Sequence, residues 1–134
     1  KILSMGLQIV NIIDPTAYIS KTATIGIGNF IGKYAVINAD SKIGNNNVIN
    51  TRALIEHECL VGNHVHISTG AVINGNVVIE DGVFLGSMSV CIGHLKIGAN
   101  TIIGAGGVVI KDIESDVTAV GVPVRIIKHH GDIV

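Results

Sequence analysis

From Ile19 to Val109 an apolar residue recurs every six positions: Ile19, Ile25, Ile31, Ile37, Ile43, Ile49, Ile55, Val61, Ile67, Ile73, Ile79, Leu85, Cys91, Ile97, Ile103 and Val109. Cys91 is the one member of that series that is not aliphatic. The next position is often glycine (Gly26, Gly32, Gly44, Gly62, Gly86, Gly98, Gly104), and the fifth is small or aliphatic, as in Ala23, Ala35, Ala53, Cys59, Val65, Ala71, Val77, Val83 and Thr101. An amphipathic helix wants apolar residues three and four apart, and a half-buried strand alternates strictly over a longer run. A period of six fits neither. It fits a short strand and a turn, repeated, with successive coils stacked in parallel. Three hexads close a triangular coil of eighteen residues. One interior column then reads Ile19, Ile37, Ile55, Ile73, Cys91, Val109 and another Ile31, Ile49, Ile67, Leu85, Ile103. The predicted fold class is all-β: a single-stranded parallel β-helix, a triangular prism of about five coils between Ile19 and Glu114 and roughly 25 Å tall at about 4.8 Å per coil.

Composition agrees with that core. Of 134 residues 48% are apolar but only 3% aromatic, so Ile, Val, Leu and Ala must fill the interior in regular positions. Seventeen glycines imply many tight turns, and two prolines are too few for a disordered Pro/Gly tract. The formal charge of −1 leaves no basic stripe to follow a phosphate backbone, which argues against nucleic acid as a partner. Cys59 and Cys91 form no CxxC motif and no zinc spacing, and read as reduced core thiols of a cytoplasmic protein. No apolar run is long enough to span a bilayer. Residues 1–11 (KILSMGLQIVN) read as a short helical or linking segment left from a preceding domain, residues 12–114 as the β-helix, and residues 115–134 as a short C-terminal cap and tail.

Four segments carry more than the repeat: IIDPTAYIS (Ile12 to Ser20), IEHECLVGNHVHISTGAVINGNV (Ile55 to Val77), FLGSMSV (Phe84 to Val90) and IIGAGGVVIKDI followed by GVPVR (Ile102 to Arg125). Together they resemble the left-handed β-helix hexapeptide-repeat acyltransferases, in particular the branch of sialic acid O-acetyltransferases and N-acetyltransferases of UDP-linked 4-amino-6-deoxy sugars. Parallel crossovers are ordinarily right-handed; the left hand is an implication of the resemblance. So are a homotrimer, acetyl-CoA as co-substrate in clefts between subunits, and a small-molecule sugar as acceptor. In that branch an N-terminal α/β domain normally holds the nucleotide sugar.

Transfer of an acetyl group from a thioester to an amine or hydroxyl needs a base for the acceptor's proton and a donor for the carbonyl oxygen. His57 stands third in its hexad, at a turn, and Glu58 follows it, placed to accept from one ring nitrogen and set the tautomer. The resemblance implies that His57 is the catalytic base and Glu58 its modulator; a surface histidine at a turn is the plain alternative. His66 precedes Ile67 and points outward from a flat face. By resemblance it lines the acetyl-CoA site, against the alternative of an ordinary strand histidine. Positions matching Ser87 and Ala105 touch acetyl-CoA in the family, largely through the main chain. The period puts Ser87 and Ala105 on one edge below Thr69, and His57, Gly75 and Gly93 on another. A single prism does not bring two edges together, so the base is expected from one subunit and much of the CoA surface from the next. GVPVR resembles the GxPA[KR] motif after the last coil, with Val124 where Ala is usual. Arg125, Lys128 and Lys111 then face CoA phosphates, or the segment is simply a cap over open strand edges. His64, His94, His129 and His130 read as surface or tail. A γ-type carbonic anhydrase shares the fold but needs three histidines on zinc, and two coils from His57 lead to Gly93; no metal is expected. A non-catalytic scaffold is the other alternative.

Overall fold

The computed structural model describes residues 3–131, and in it every hexad becomes a two-residue strand followed by a corner. Successive strand residues point to opposite faces, so the second residue of each strand faces in: in His66–Ile67 the histidine is half-buried and the isoleucine buried. Strand partners lie eighteen residues apart in parallel register, as in Ile37↔Ile55 and Ile55↔Ile73. Three flat faces result. The first carries the strands Ile12–Ile13, Phe30–Ile31, Val48–Ile49, His66–Ile67, Phe84–Leu85 and Ile102–Ile103; the second runs from Tyr18–Ile19 to Val108–Val109 and the third from Thr24–Ile25 to Lys96–Ile97. The architecture is the left-handed parallel β-helix that the resemblance implies, with no α-helix among the described residues.

The prism has about six coils, since the second face holds six strands. That is one more than the five expected, and a series begun at Ile19 leaves out the strand Ile12–Ile13 before it. Ile12–Ile13 already pairs with Phe30–Ile31, so the IIDP stretch lies within the first coil. Before it, residues 3–11 contain a single 3₁₀ turn, Leu3–Met5; Lys1 and Ile2 of the expected linking segment lie outside the described residues, as do residues 132–134 of the tail. In the last coil the spacing contracts from eighteen to sixteen, with Ile97 bridging Ile113 and Ile103 pairing Ala119. Val117–Gly121 then extends the first face in parallel, and Val124–His129 folds back on it antiparallel, so a hairpin finishes the prism.

The interior is the aliphatic column: Ile31, Ile37, Ile49, Ile55, Ile67, Ile73, Leu85, Cys91, Ile103 and Val109 are all 0% exposed. Burying each full side chain is worth about 1.5–3 kcal/mol. The corners have their own period. Every sixth residue from Gly28 to Gly106 has positive φ, including Asp40, Asn46, Glu58, His64, Asn76, His94 and Asn100. Asn, Asp and His are the non-glycine types that tolerate this region best, and they supply six of its ten non-glycine members between Gly28 and Gly106.

Inside the corners, some hexads replace the expected small residue by a buried polar one. Asn29 and Asn47 are each 1% exposed. The main-chain N–H of Asn47 donates to Asn29 Oδ1 (2.9 Å) and that of Val65 to Asn47 Oδ1 (2.7 Å), while Asn29 Nδ2 donates to Gly44 O (3.0 Å) and Asn47 Nδ2 to Gly62 O (2.9 Å). Ser41 acts likewise, its hydroxyl donating to Glu56 O (2.6 Å) and accepting from Cys59 N (3.1 Å). These side chains tie main-chain groups of successive coils that the strand ladders leave unpaired.

Candidate functional site

His57 and Glu58 form the corner that follows the strand Leu54–Ile55. Glu58 has φ 58, and its N–H donates to Ala39 O (2.8 Å) one coil before. This left-handed turn sends the carboxylate back over the preceding residue, so that Glu58 Oε2 lies 3.0 Å from His57 Nδ1. A carboxylate can only accept, so Nδ1 is the donor, and in the neutral ring Nε2 keeps its lone pair. That is the tautomer a general base needs. Both side chains are about half exposed, 54% and 57%, so the pair contributes little to folding. Asn76, one coil further, brings Nδ2 to 3.5 Å from the same Oε2. The corner continues through Gly75 and Gly93: Asn76 N donates to His57 O (3.0 Å) and His94 N to Gly75 O (3.0 Å).

His66 lies on the first face, pointing outward between Val48 and Phe84. The Phe84 ring meets it edge-on, with centroids 5.0 Å apart and planes at 63°. Phe84 was not among the sequence candidates, although its place eighteen residues after His66 follows from the period. The outward column of this face also carries exposed apolar side chains, Ile12 65%, Phe30 42%, Phe84 38% and Ile102 39%, with Val48 half-buried among them. Ser87 and Ala105 are exposed at the corner between the first and second faces, stacked as expected, with Gly106 N donating to Ser87 O (2.8 Å) and Met88 N to Thr69 O (3.0 Å).

The structure therefore joins His57 to Glu58, and Ser87 to Ala105, but keeps the two groups apart. His57 is on the corner between the second and third faces, across the triangular section from the first face and His66. GVPVR forms the turn of the C-terminal hairpin, and Arg125 and Lys111 line one groove of about 330 Å³ beside it, with Asp112 and Glu114. Lys128 is exposed on the last strand, while His129 bonds Glu114 (3.1 Å) and His130 bonds Thr118 (2.9 Å), pinning that strand to the prism.

A groove of about 680 Å³ lies on the third face and does not include His57. Two carboxylates at its edge are held below the usual range: Glu80 by the Lys96 ammonium and the Ala99 N–H, Asp81 by the main-chain and side-chain N–H groups of Asn63. Burial pushes the Cys59 thiol up and the Cys91 thiol up to about 12, so neither is a nucleophile at neutral pH. Among the described residues no group of three His, Cys, Asp or Glu side chains is placed to hold a metal ion, and no helix is long and apolar enough to cross a membrane.

No family model and no curated protein matches the sequence, but solved structures match the whole fold. PerB from Caulobacter crescentus, in complex with CoA and GDP-perosamine, is 38% identical with a TM-score of 0.92 over 94% of this chain and 61% of that one. The acetyltransferase domain of PglB from Neisseria gonorrhoeae FA1090 is 31% identical (TM-score 0.91, 93% of this chain and 61% of that one), and is also known in complex with acetyl coenzyme A. Its structural neighbours are sugar acetyltransferases of the hexapeptide-repeat β-helix family. WeeI from Acinetobacter baumannii AYE, another of these hexapeptide-repeat neighbours, is 30% identical with a TM-score of 0.90 over 94% of this chain and 62% of that one. The chain thus spans about three fifths of the length of the hexapeptide-repeat proteins it matches.

Proposed function

We propose that this chain is the catalytic β-helix of an acetyltransferase that moves an acetyl group from acetyl-CoA to a sugar, with His57 as the general base. The observation that carries this is the His57–Glu58 pair, held at 3.0 Å with Nδ1 engaged and Nε2 directed away from the carboxylate. Nε2 takes the proton of the acceptor amine or hydroxyl as that atom attacks the thioester carbonyl. The tetrahedral intermediate then expels the CoA sulfur, which leaves with the proton His57 held. Glu58 holds the ring in one tautomer and stabilises the imidazolium that forms in between.

Acetyl-CoA lies along the first face and its corner, at His66, Ser87 and Ala105, with Lys111 and Arg125 as candidates for its phosphates. His57 comes from a neighbouring copy in a homotrimer. Two observations support this division. The exposed apolar column of the first face wants cover, and a base half open to water gains catalytic power once a second surface excludes solvent. An amino group on a nucleotide-linked sugar is the favoured acceptor, because one neighbour is a GDP-perosamine N-acetyltransferase that is 36% identical over 94% of this chain.

The test is turnover of acetyl-CoA with GDP-perosamine, UDP-linked 4-amino-6-deoxy sugars and sialic acid, for the wild type and His57→Ala. Loss of about 10²–10⁴-fold in the variant is the magnitude expected of a general base. A variant as fast as the wild type would remove His57 from the mechanism.

A further inference from the structure

Gly75 occupies the position one coil beyond His57 on the same corner. A Cβ built on Gly75 would stand 2.6 Å from both Cε1 and Nε2 of His57 and 3.2 Å from Cδ2, and these are the three nearest atoms to it. The imidazole therefore fills the space that a side chain at 75 would take. Gly86 and Gly44 are needed for a different reason. A Cβ at Gly86 would meet Ala105 N at 2.5 Å, and one at Gly44 would meet Gly62 O at 2.5 Å, so there the main chain of the next coil is in the way. Nor does the backbone demand glycine at 75: its φ lies outside the left-handed region, which at this corner falls to Asn76 with φ 61.

We infer that Gly75 is a positioning residue for the acetyl transfer: its bare Cα is the seat on which the His57 ring lies. This rests on the assignment of His57 as base. Glu58 holds the ring from the Nδ1 side and Gly75 supports the opposite edge, so two contacts define where Nε2 sits. The main chain here is fixed by the Asn76 N–His57 O and His94 N–Gly75 O bonds, both 3.0 Å, whereas the ring is a half-exposed side chain that yields more easily than the coil. Any side chain at 75 must move the ring and not the coil. A displacement of about 1 Å at a catalytic group costs up to about 10²-fold in rate.

The experiment is Gly75→Ala, alone and combined with His57→Ala, in the purified chain. Alanine at an ordinary φ leaves the melting temperature equal or higher, and acetyl-CoA affinity stays at the wild-type value. The ring ¹⁵N signals of His57 depart from the Nδ1-protonated pattern, while those of His66 and His94 stay in place. Turnover with GDP-perosamine falls about 10²-fold, and Gly75→Ala costs nothing further once His57 is alanine, because the two act as one unit. His57 nitrogen signals identical in Gly75→Ala and wild type overturn the inference whatever the activity. Wild-type turnover in His57→Ala, with the His57 signals still shifted by Gly75→Ala, leaves the seat standing and removes the base assignment instead.

Discussion

Replacing Asn47 by alanine tests whether the buried asparagines hold the coils together. Alanine fits that interior position sterically, since Ala35, Ala53 and Ala71 occupy its equivalents at 0% exposure. What is lost is the amide. Oδ1 no longer accepts from Val65 N (2.7 Å) and Nδ2 no longer donates to Gly62 O (2.9 Å). Asn47 is 1% exposed, so water does not replace it on either group. Each stranded polar group costs about 1–3 kcal/mol, so the variant should lose about 2–6 kcal/mol. The loss falls on the interface between adjacent coils, where a solenoid carries its stability. Asn45→Ala is the comparison: its Oδ1 also accepts one main-chain bond, from Ile27 N (2.9 Å), but in the open. Water substitutes there, and about 0.5–1.5 kcal/mol is the most that should go. Urea unfolding followed by circular dichroism at fixed protein concentration, extrapolated linearly to water, measures both. Equal and small losses in the two variants would refute the argument and make the ladder incidental to stability.

Glu58→Gln keeps the shape of the pair but removes the charge that stabilises the imidazolium; turnover should fall, by less than in His57→Ala, with acetyl-CoA affinity unchanged, and an effect on affinity alone would contradict the assigned role. Burial raises the Cys91 thiol to about 12, and a thiol pKa raised on folding adds stability below its unfolded value, about 8.5, which drains away as pH climbs toward 12. Melting temperatures measured from pH 7 to 11 should therefore decline on the alkaline side, and decline less in Cys91→Val; an equal decline would point to other groups. The Ser89 hydroxyl is fully buried with no hydrogen-bond partner among the described residues, so Ser89→Ala should leave stability unchanged or raise it by up to about 1–3 kcal/mol in the same urea experiment, and a marked loss would mean that the hydroxyl has a partner.

The aliphatic column was legible because a narrow prism admits one kind of side chain at one position per hexad, so Ile19 through Val109 announce themselves. The columns, the outward aim of His66 and the stacking of Ser87 on Ala105 followed from the period alone. The hand of the coil did not, because inward and outward positions are the same for either hand; it came from resemblance. The strand Ile12–Ile13 was left out because the series was started at Ile19, although Ile13 stands six residues before it. The buried Asn29, Asn47 and Ser41 interrupt a position read as small or aliphatic, and their partners are main-chain carbonyls that no side-chain pattern displays. The left-handed corners did leave a signal, the recurrence of Gly, Asn, Asp and His three residues after each interior aliphatic. At the candidate site, His57 and Glu58 were readable as neighbours in sequence. The contact of His57 with Gly75 was not, because it depends on which way one ring leans.

The central claim is that this chain binds acetyl-CoA on the first face of a trimeric β-helix. Titration calorimetry of acetyl-CoA into the purified chain, with His66→Ala alongside and mass determined by light scattering, addresses it most directly. Saturable binding to a trimer, weakened in His66→Ala, is the predicted result. A well-folded chain that takes up no acetyl-CoA would contradict the claim and leave a β-helix that serves as a scaffold.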